Sequence, residues 1–427
     1  MRSRVGKSGA TGVIRKHRGD FMIVLFMSIL MLLGLVVIYS ISPALTARIN
    51  AAGNTLDQNH FMYRQVAYLA VGVLAFIAAS LVPLDWWKKY QNKLLAGGLI
   101  LCLVPIVLKG TPIALCTNGA CRWINLGFVS LQPAEIVKFA LLIFLAGFLA
   151  KRMSEGKLND RNETLIPLGV IMAAISLVVI VLQKDLGTGI TFFGIAVSML
   201  YVAGLSKKYF GMALLVVLGA GLLLIATSPH RLERVATFFN GSADDASGAG
   251  YHINQALIAV GSGGITGKGL GRSIQAFGYL PEAANDSIFA IFAEKFGFLG
   301  TVAVMGIFAA LFLRLLRVMD SAANNYHRLL IAGVFGWVFT HTMVNIGAML
   351  GIFPLTGITL PFLSFGGTSL LFIMGALGLS LNVSRYTIHQ RINTPNNQGG
   401  GSAYEDYRSR RRVGRSRDAG AGRLARP

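Results

Sequence analysis

Apolar residues in this chain fall in runs far longer than the core helices of soluble domains, and polar residues collect between the runs. The runs are Phe21 to Ile41, Val66 to Val82, Leu94 to Leu108, Ala134 to Ala150, Leu165 to Leu182, Gly189 to Gly204, Tyr209 to Thr227, Phe296 to Leu316, Leu329 to Leu350 and Leu363 to Leu381. A ~30 Å hydrocarbon core needs ~20 helical residues at ~1.5 Å each, so the pattern predicts an all-α polytopic membrane protein with about ten spans. Leu94 to Leu108 is short and contains Pro105, and Gly189 to Gly204 is marginal, so eight or nine full spans plus re-entrant pieces also fit. The first run exceeds a signal-peptide core and has no small-residue cleavage site, which predicts that it is retained.

Composition agrees, with 54% hydrophobic and only 13% charged residues. The net charge of +21 does not point to nucleic acid, because the cations lie at the ends of apolar runs and not on one accessible face. Their distribution orients the chain. With the N-terminus inside, cytoplasmic segments hold 28 of the 39 Lys and Arg and outer loops 9, so both termini are expected in the cytoplasm. Three regions follow: a basic N-terminal segment (1–20), a transmembrane domain (21–385) and a basic tail (386–427) whose Asn, Gly, Ser and Arg cannot bury enough apolar surface to fold. The tail's arginines suit anionic headgroups or a cytoplasmic partner.

Two outer loops are long, Lys109 to Pro133 and the stretch from Ser228 to about Asp286, and long loops tend to carry function. The first holds Cys116 and Cys121, either a small disulfide in an oxidising compartment or two free thiols. The second carries GSGGITGKGLG, a glycine run without Walker spacing and without a preceding strand, which excludes a nucleotide loop but leaves Lys268 and exposed N–H groups able to meet a pyrophosphate. No His, Cys or carboxylate spacing supports a tight zinc site.

Ionisable groups at membrane depth cost ~2.5 kcal/mol or more and call for a reason. Glu135 and Lys138, at i and i+3 of one apolar helix, are either a structural pair or a cation for an anionic substrate with its orienting carboxylate. Asp185 lies in the tight hairpin QKDLGT, where capping the next helix is the ordinary role. Asp286 follows PEAAN and precedes an apolar stretch, where an outer loop enters a helix; N-capping competes there with chemistry. Arg231 and Arg234 could share a helical face at the mouth of the same loop, where headgroup contact is the plain alternative.

Four stretches in order, RWI leading to SLQPAE and Lys138, QKDLGT, GY through IAVGSGGITGKGLG to YLPEAANDSIFAIFAE, and GIFPLTG through LPFLSFGGTSLL, resemble the SEDS family, which includes FtsW and RodA, from about Gly19 to Arg385. The resemblance implies a peptidoglycan glycosyltransferase that polymerises lipid II beside a class B penicillin-binding transpeptidase and other divisome membrane proteins in the bacterial inner membrane, at the septum for an FtsW-like chain. YLPE and the basic tail favour that branch over a RodA-like one. By its place after LPEA, Asp286 takes the position of the family's catalytic aspartate. Arg122, Lys138, Arg231 and Arg234 are then expected at the pyrophosphate, with Glu135, Asp185 and Lys268 as further substrate-site residues and room left for a divalent cation, Mg or Mn. The family's PEAHTDFIFA reads PEAANDSIFA here and its QPDLGT reads QKDLGT. A lipid II flippase and a non-catalytic divisome scaffold are the competing functions.

Overall fold

The computed structural model describes residues 13–16, 19–53, 55–117, 120–127, 130–226, 232, 235 and 248–389. Arg15–Thr387 forms one compact unit; nearly all of a second, Met1–Ile14 with Ile388–Pro427, lies outside the described residues, and so does the expected tail beyond its first four residues, Tyr386–His389, which form a strand and not the unfolded segment expected from 386 on.

Among the described residues, ten helices are long and apolar enough to cross a membrane. They are α1 (Phe21–Ala51), α2 (His60–Leu81), α3 (Leu84–Val107), α4 (Pro133–Ser154), α5 (Arg161–Leu182), α6 (Leu186–Ala203), α7 (Lys207–Ala226), α9 (Ile288–Asp320), α10 (Asn325–Met349) and α11 (Gly367–Ser384). A shorter helix, α8 (Ala249–Ser262), precedes α9. The backbone N–H of Asp20 donates to Ser384 Oγ at 2.9 Å, so the start of the first span and the end of the last share one face. Asp20 also caps α1, accepting from Met22 N at 3.1 Å, and pairs with Arg314 of α9.

The helices run past the apolar runs for identifiable reasons. α1 continues ten residues beyond Ile41, through Pro43; there Thr46 satisfies its hydroxyl on the Ser42 carbonyl at 3.0 Å, and Ser42 Oγ ties the extension to the Gln58 carbonyl of the following loop at 2.6 Å. α3 starts at Leu84 because Pro83 ends the preceding turn and Trp86, Trp87, Lys88 and Lys89 continue a helix that hydropathy alone truncates. The last span starts at Gly367 instead of Leu363: the 360–366 segment turns, Phe362 takes φ 67°, and Leu360 N bonds Ser364 Oγ at 2.8 Å. α9 contains a break at Gly297 (φ 65°, ψ −165°), so a short helix from Ile288 precedes the span proper.

α4, α10 and α11 are buried over most of their length, while α7 buries none of its residues and, beyond Lys207 and Lys208 at its start, presents an almost wholly apolar surface for lipid to cover. Small residues let the central helices approach. A Cβ on Gly336 of α10 would fall 2.1 Å from Ser198 Oγ and 2.7 Å from the carbonyl of Gly194 on α6, the close contact that helix packing in lipid favours.

Outside the helices, the loop after α3 folds into a three-stranded sheet, β1 (Ala114–Thr117), β2 (Ala120–Asn125) and β3 (Ser130–Leu131), in which neighbouring strands run antiparallel. Cys116 and Cys121 face each other in the β1–β2 register and are joined by a disulfide, which settles the choice between a bridge and free thiols.

Candidate functional site

α4 starts with Pro133 at its first position, where the missing N–H costs nothing, and carries Glu135 and Lys138 one turn apart on its buried face. Lys138 is 1% exposed and Glu135 3%; Lys138 Nζ lies 2.7 Å from Glu135 Oε1. The ammonium also reaches His341 Nε2 of α10 at 3.3 Å and lies 5.9 Å from the Trp337 ring centre, one turn earlier on α10. His341 Nδ1 meets the Thr359 carbonyl at 3.2 Å. A buried charge is tolerable only when paired and hydrogen-bonded, and Lys138 meets that condition through two helices and a ring.

Gln132, just before α4, extends the polar line: its Nε2 donates to Asp185 Oδ2 at 3.1 Å. Asp185 also accepts from Thr188 N on Oδ1 and from Thr188 Oγ1 on Oδ2, both at 3.0 Å, so it is the cap of α6 that its place in the hairpin predicted, as well as a neighbour of the α4 site. Arg122, on β2, grips the same hairpin from outside, with Nε 3.0 Å from the Gln183 carbonyl and a terminal nitrogen 2.5 Å from that of Lys184. Lys184 holds φ 55°, unusual for a non-glycine residue.

Asp286 sits half-buried in the turn ahead of α9. Ser287, one residue after Asp286, takes the N-cap position of α9. Ser287 Oγ donates to the Pro281 carbonyl at 2.8 Å and lies 2.6 Å from His252 Nε2 of α8, while Phe365 N bonds the Ala284 carbonyl at 2.8 Å. From α10, Asn345 Nδ2 donates to the carbonyls of Asp286, at 2.6 Å, and Ile358, at 2.7 Å. The carboxylate faces the bare Cα of Gly357: a Cβ built there would lie 3.9 Å from Asp286 Oδ2. One segment, 356–360, thus touches Asp286, Asn345 and His341, and through the Thr356 carbonyl it packs against Gly187 beside Asp185.

Lys268 belongs to a different cluster. Its Nζ lies 3.0 Å from Oε1 of Glu294, a fully buried carboxylate that also accepts from Ser273 Oγ and from the backbone N–H groups of Ile274 and Gln275. The glycine run packs on the break in α9: a Cβ at Gly267 would be 2.1 Å from the Lys295 carbonyl, so those glycines serve backbone approach. Arg231 and Arg234 lie outside the described residues. Gathered at one place are therefore Glu135, Lys138, Asp185, Arg122 and Asp286, and sequence reasoning missed Gln132, Trp337, His341 and Asn345. Among the described residues no group of three or more His, Cys, Asp or Glu could hold a metal ion.

Among the described residues, ten apolar spans enclosing paired charges, with a half-buried aspartate where a loop meets a helix, define a multi-pass membrane protein built around a polar site. Residues 20–389 match the family described as cell cycle protein, which takes in FtsW, RodA and SpoVE, and the chain belongs to this SEDS family. It is 35% identical over 375 residues to stage V sporulation protein E of Bacillus subtilis, covering 87% of this chain and 99% of that one. It is 36% identical over 336 residues to the probable peptidoglycan glycosyltransferase FtsW of Coxiella burnetii, covering 77% of this chain and 87% of that one. Among solved structures it resembles a chain of a peptidoglycan synthase complex (24% identity, TM-score 0.67, 86% and 98% covered) and the rod shape determining protein RodA of Thermus thermophilus (25%, TM-score 0.60, 86% and 97%).

Proposed function

We propose that the chain is a peptidoglycan glycosyltransferase that polymerises lipid II, of the FtsW-like division branch, with Asp286 as general base. The observation that carries this is where the site's carboxylates stand: Glu135 and Asp185 are buried within the packed helices, whereas Asp286 is only half-buried, in the turn where the outer loop enters α9 and beside Gly357. A base must lie within hydrogen-bond reach of the acceptor hydroxyl, and of these three Asp286 is the least buried. The relatives named as FtsW glycosyltransferases support the reaction class.

In this reading the acceptor sugar's hydroxyl loses its proton to Asp286 as its oxygen attacks the anomeric carbon of the donor. The bond to undecaprenyl pyrophosphate breaks with inversion, and one carboxylate suffices. Cations are then needed at the departing pyrophosphate. Arg122, Arg231 and Arg234 are proposed for contact with it, while Lys138, held by Glu135 and His341, supplies positive potential; Lys268, paired with Glu294 in the separate cluster, is not given this role. Asp185 keeps the α5–α6 hairpin in place. The partner is proposed to be a class B penicillin-binding transpeptidase among other divisome membrane proteins, in the inner membrane at the septum with both termini cytoplasmic.

The test is polymerisation of lipid II by the purified chain, with and without the cognate transpeptidase. Glycan strands are expected. Lipid II movement across polymerase-free vesicles without glycan would make the protein a flippase, and inactivity in both assays would make it a scaffold.

A further inference from the structure

The strongest feature not absorbed above is one face of α10. Asn345 is 1% exposed, and both N–H groups of its amide are spent on carbonyls, those of Asp286 and Ile358. Those two carbonyls belong to chain segments 59 and 13 residues away, so the amide is a joint between the turn that carries the carboxylate and the 356–360 segment that faces it. Four residues earlier, on the same helical face, His341 ties that segment, at Thr359, to Lys138. The joint needs two donors of this length on one side chain. Serine has one donor and leucine none.

We propose that Asn345 is a positioning residue for the glycosyl transfer, acting through Asp286. By fixing the Asp286 carbonyl against Ile358 it sets where the carboxylate stands relative to Gly357 and to the acceptor hydroxyl arriving between them. The inference rests on the reading of Asp286 as the base. Asn345 itself, buried beneath the turn, meets no substrate, so its loss changes the geometry of proton transfer and not the affinity for lipid II. Misplacement by ~1 Å of a group that must meet its reactant at hydrogen-bond distance costs ~10²-fold in rate.

The experiment compares Asn345→Leu, Asn345→Ser and Asn345→Gln with Asp286→Asn in the full-length protein, reading kcat and KM for lipid II polymerisation together with the thermal midpoint in detergent. Expected for Asn345→Leu is a fall in kcat of roughly 10- to 100-fold with KM within about twofold of wild type. Asn345→Ser, which keeps one donor, should fall between Leu and wild type, and Asn345→Gln, which keeps the two-donor amide, should recover part of the rate at equal thermal midpoint. In an Asp286→Asn background, Asn345→Leu should add little further loss, because the two act through the same group. A loss that appears in KM, or a rate that tracks thermal midpoint and not donor number, overturns the positioning role. So does wild-type kcat in Asn345→Leu beside an inactive Asp286→Asn, whereas an active Asp286→Asn overturns the reading of Asp286 and this inference with it.

Discussion

Two carboxylates buried in apolar helices, Glu294 and Glu135, solve the same problem differently. Glu294 is saturated: Lys268, the Ser273 hydroxyl and the N–H groups of Ile274 and Gln275 all close on it, all from one loop. Glu135 has a hydrogen bond on one oxygen only, from Lys138, while its Oε2 makes none to the described residues, and its ammonium partner is shared with His341 from another helix. A carboxylate whose acceptors are all used within one loop is a brace for that loop. One that is left partly unsatisfied between helices, and linked to the proposed base through Lys138, His341 and the 356–360 segment, is maintained at a cost in stability, and such residual demands collect where chemistry is done.

The largest effect expected from breaking this contrast is at Lys138. Lys138→Met leaves Glu135 buried without its cation and should cost about 3–5 kcal/mol of stability in detergent. Combining it with Glu135→Leu should restore most of the thermal midpoint while polymerisation stays low. If the double variant were stable and fully active, the pair would be a packing device like any other. Next comes the saturated brace. Glu294→Ala strands the Ser273 hydroxyl and two N–H groups and should cost about 3 kcal/mol, read as faster proteolysis within 268–277, with a smaller loss of polymerisation than Asp286→Asn produces. Equal losses in the two would mean that the Glu294 cluster belongs to the chemistry. Smallest is the outer hairpin: Cys116→Ser with Cys121→Ser opens a loop of about six residues, worth ~2 kcal/mol by loop entropy. Mass spectrometry of unreduced peptides from exported protein should find the Cys116–Cys121 link, and alkylation of both thiols without reductant would count against it.

What could be read from the sequence divides along the same line. The ten spans were legible because an apolar run of membrane length has few alternatives, yet their ends were not. Ser42 to Ala51 and Leu84 to Lys93 are helical although their polar and amphipathic side chains, Ser42, Thr46 and Arg48 in the one and Trp86, Trp87, Lys88 and Lys89 in the other, end the apolar run that hydropathy registers. Residues inside motifs, Glu135, Lys138, Asp185 and Asp286, could be singled out one by one. Their partners could not. His341 lies 203 residues from Lys138 in an unremarkable apolar helix, and Asn345 lies 59 from Asp286; only the packing of α10 against α4 and the α9 turn makes them neighbours. A signal existed in retrospect, since His341 and Asn345 are polar residues spaced i, i+4 within a predicted span. The glycine run's role in receiving the backbone at the α9 break depends on a kink that no local pattern announces.

The central claim, that Asp286 is the base, is tested most directly by the rate at which purified Asp286→Asn polymerises lipid II in the presence of the cognate transpeptidase. The substitution preserves shape, leaves the Asn345 bond to the backbone carbonyl intact and disturbs no N-cap, so the protein should fold and bind its partner as wild type does. Loss of a general base predicts a fall of at least ~10²-fold. A near-wild-type rate would contradict the account and move the search for the base to Asp185.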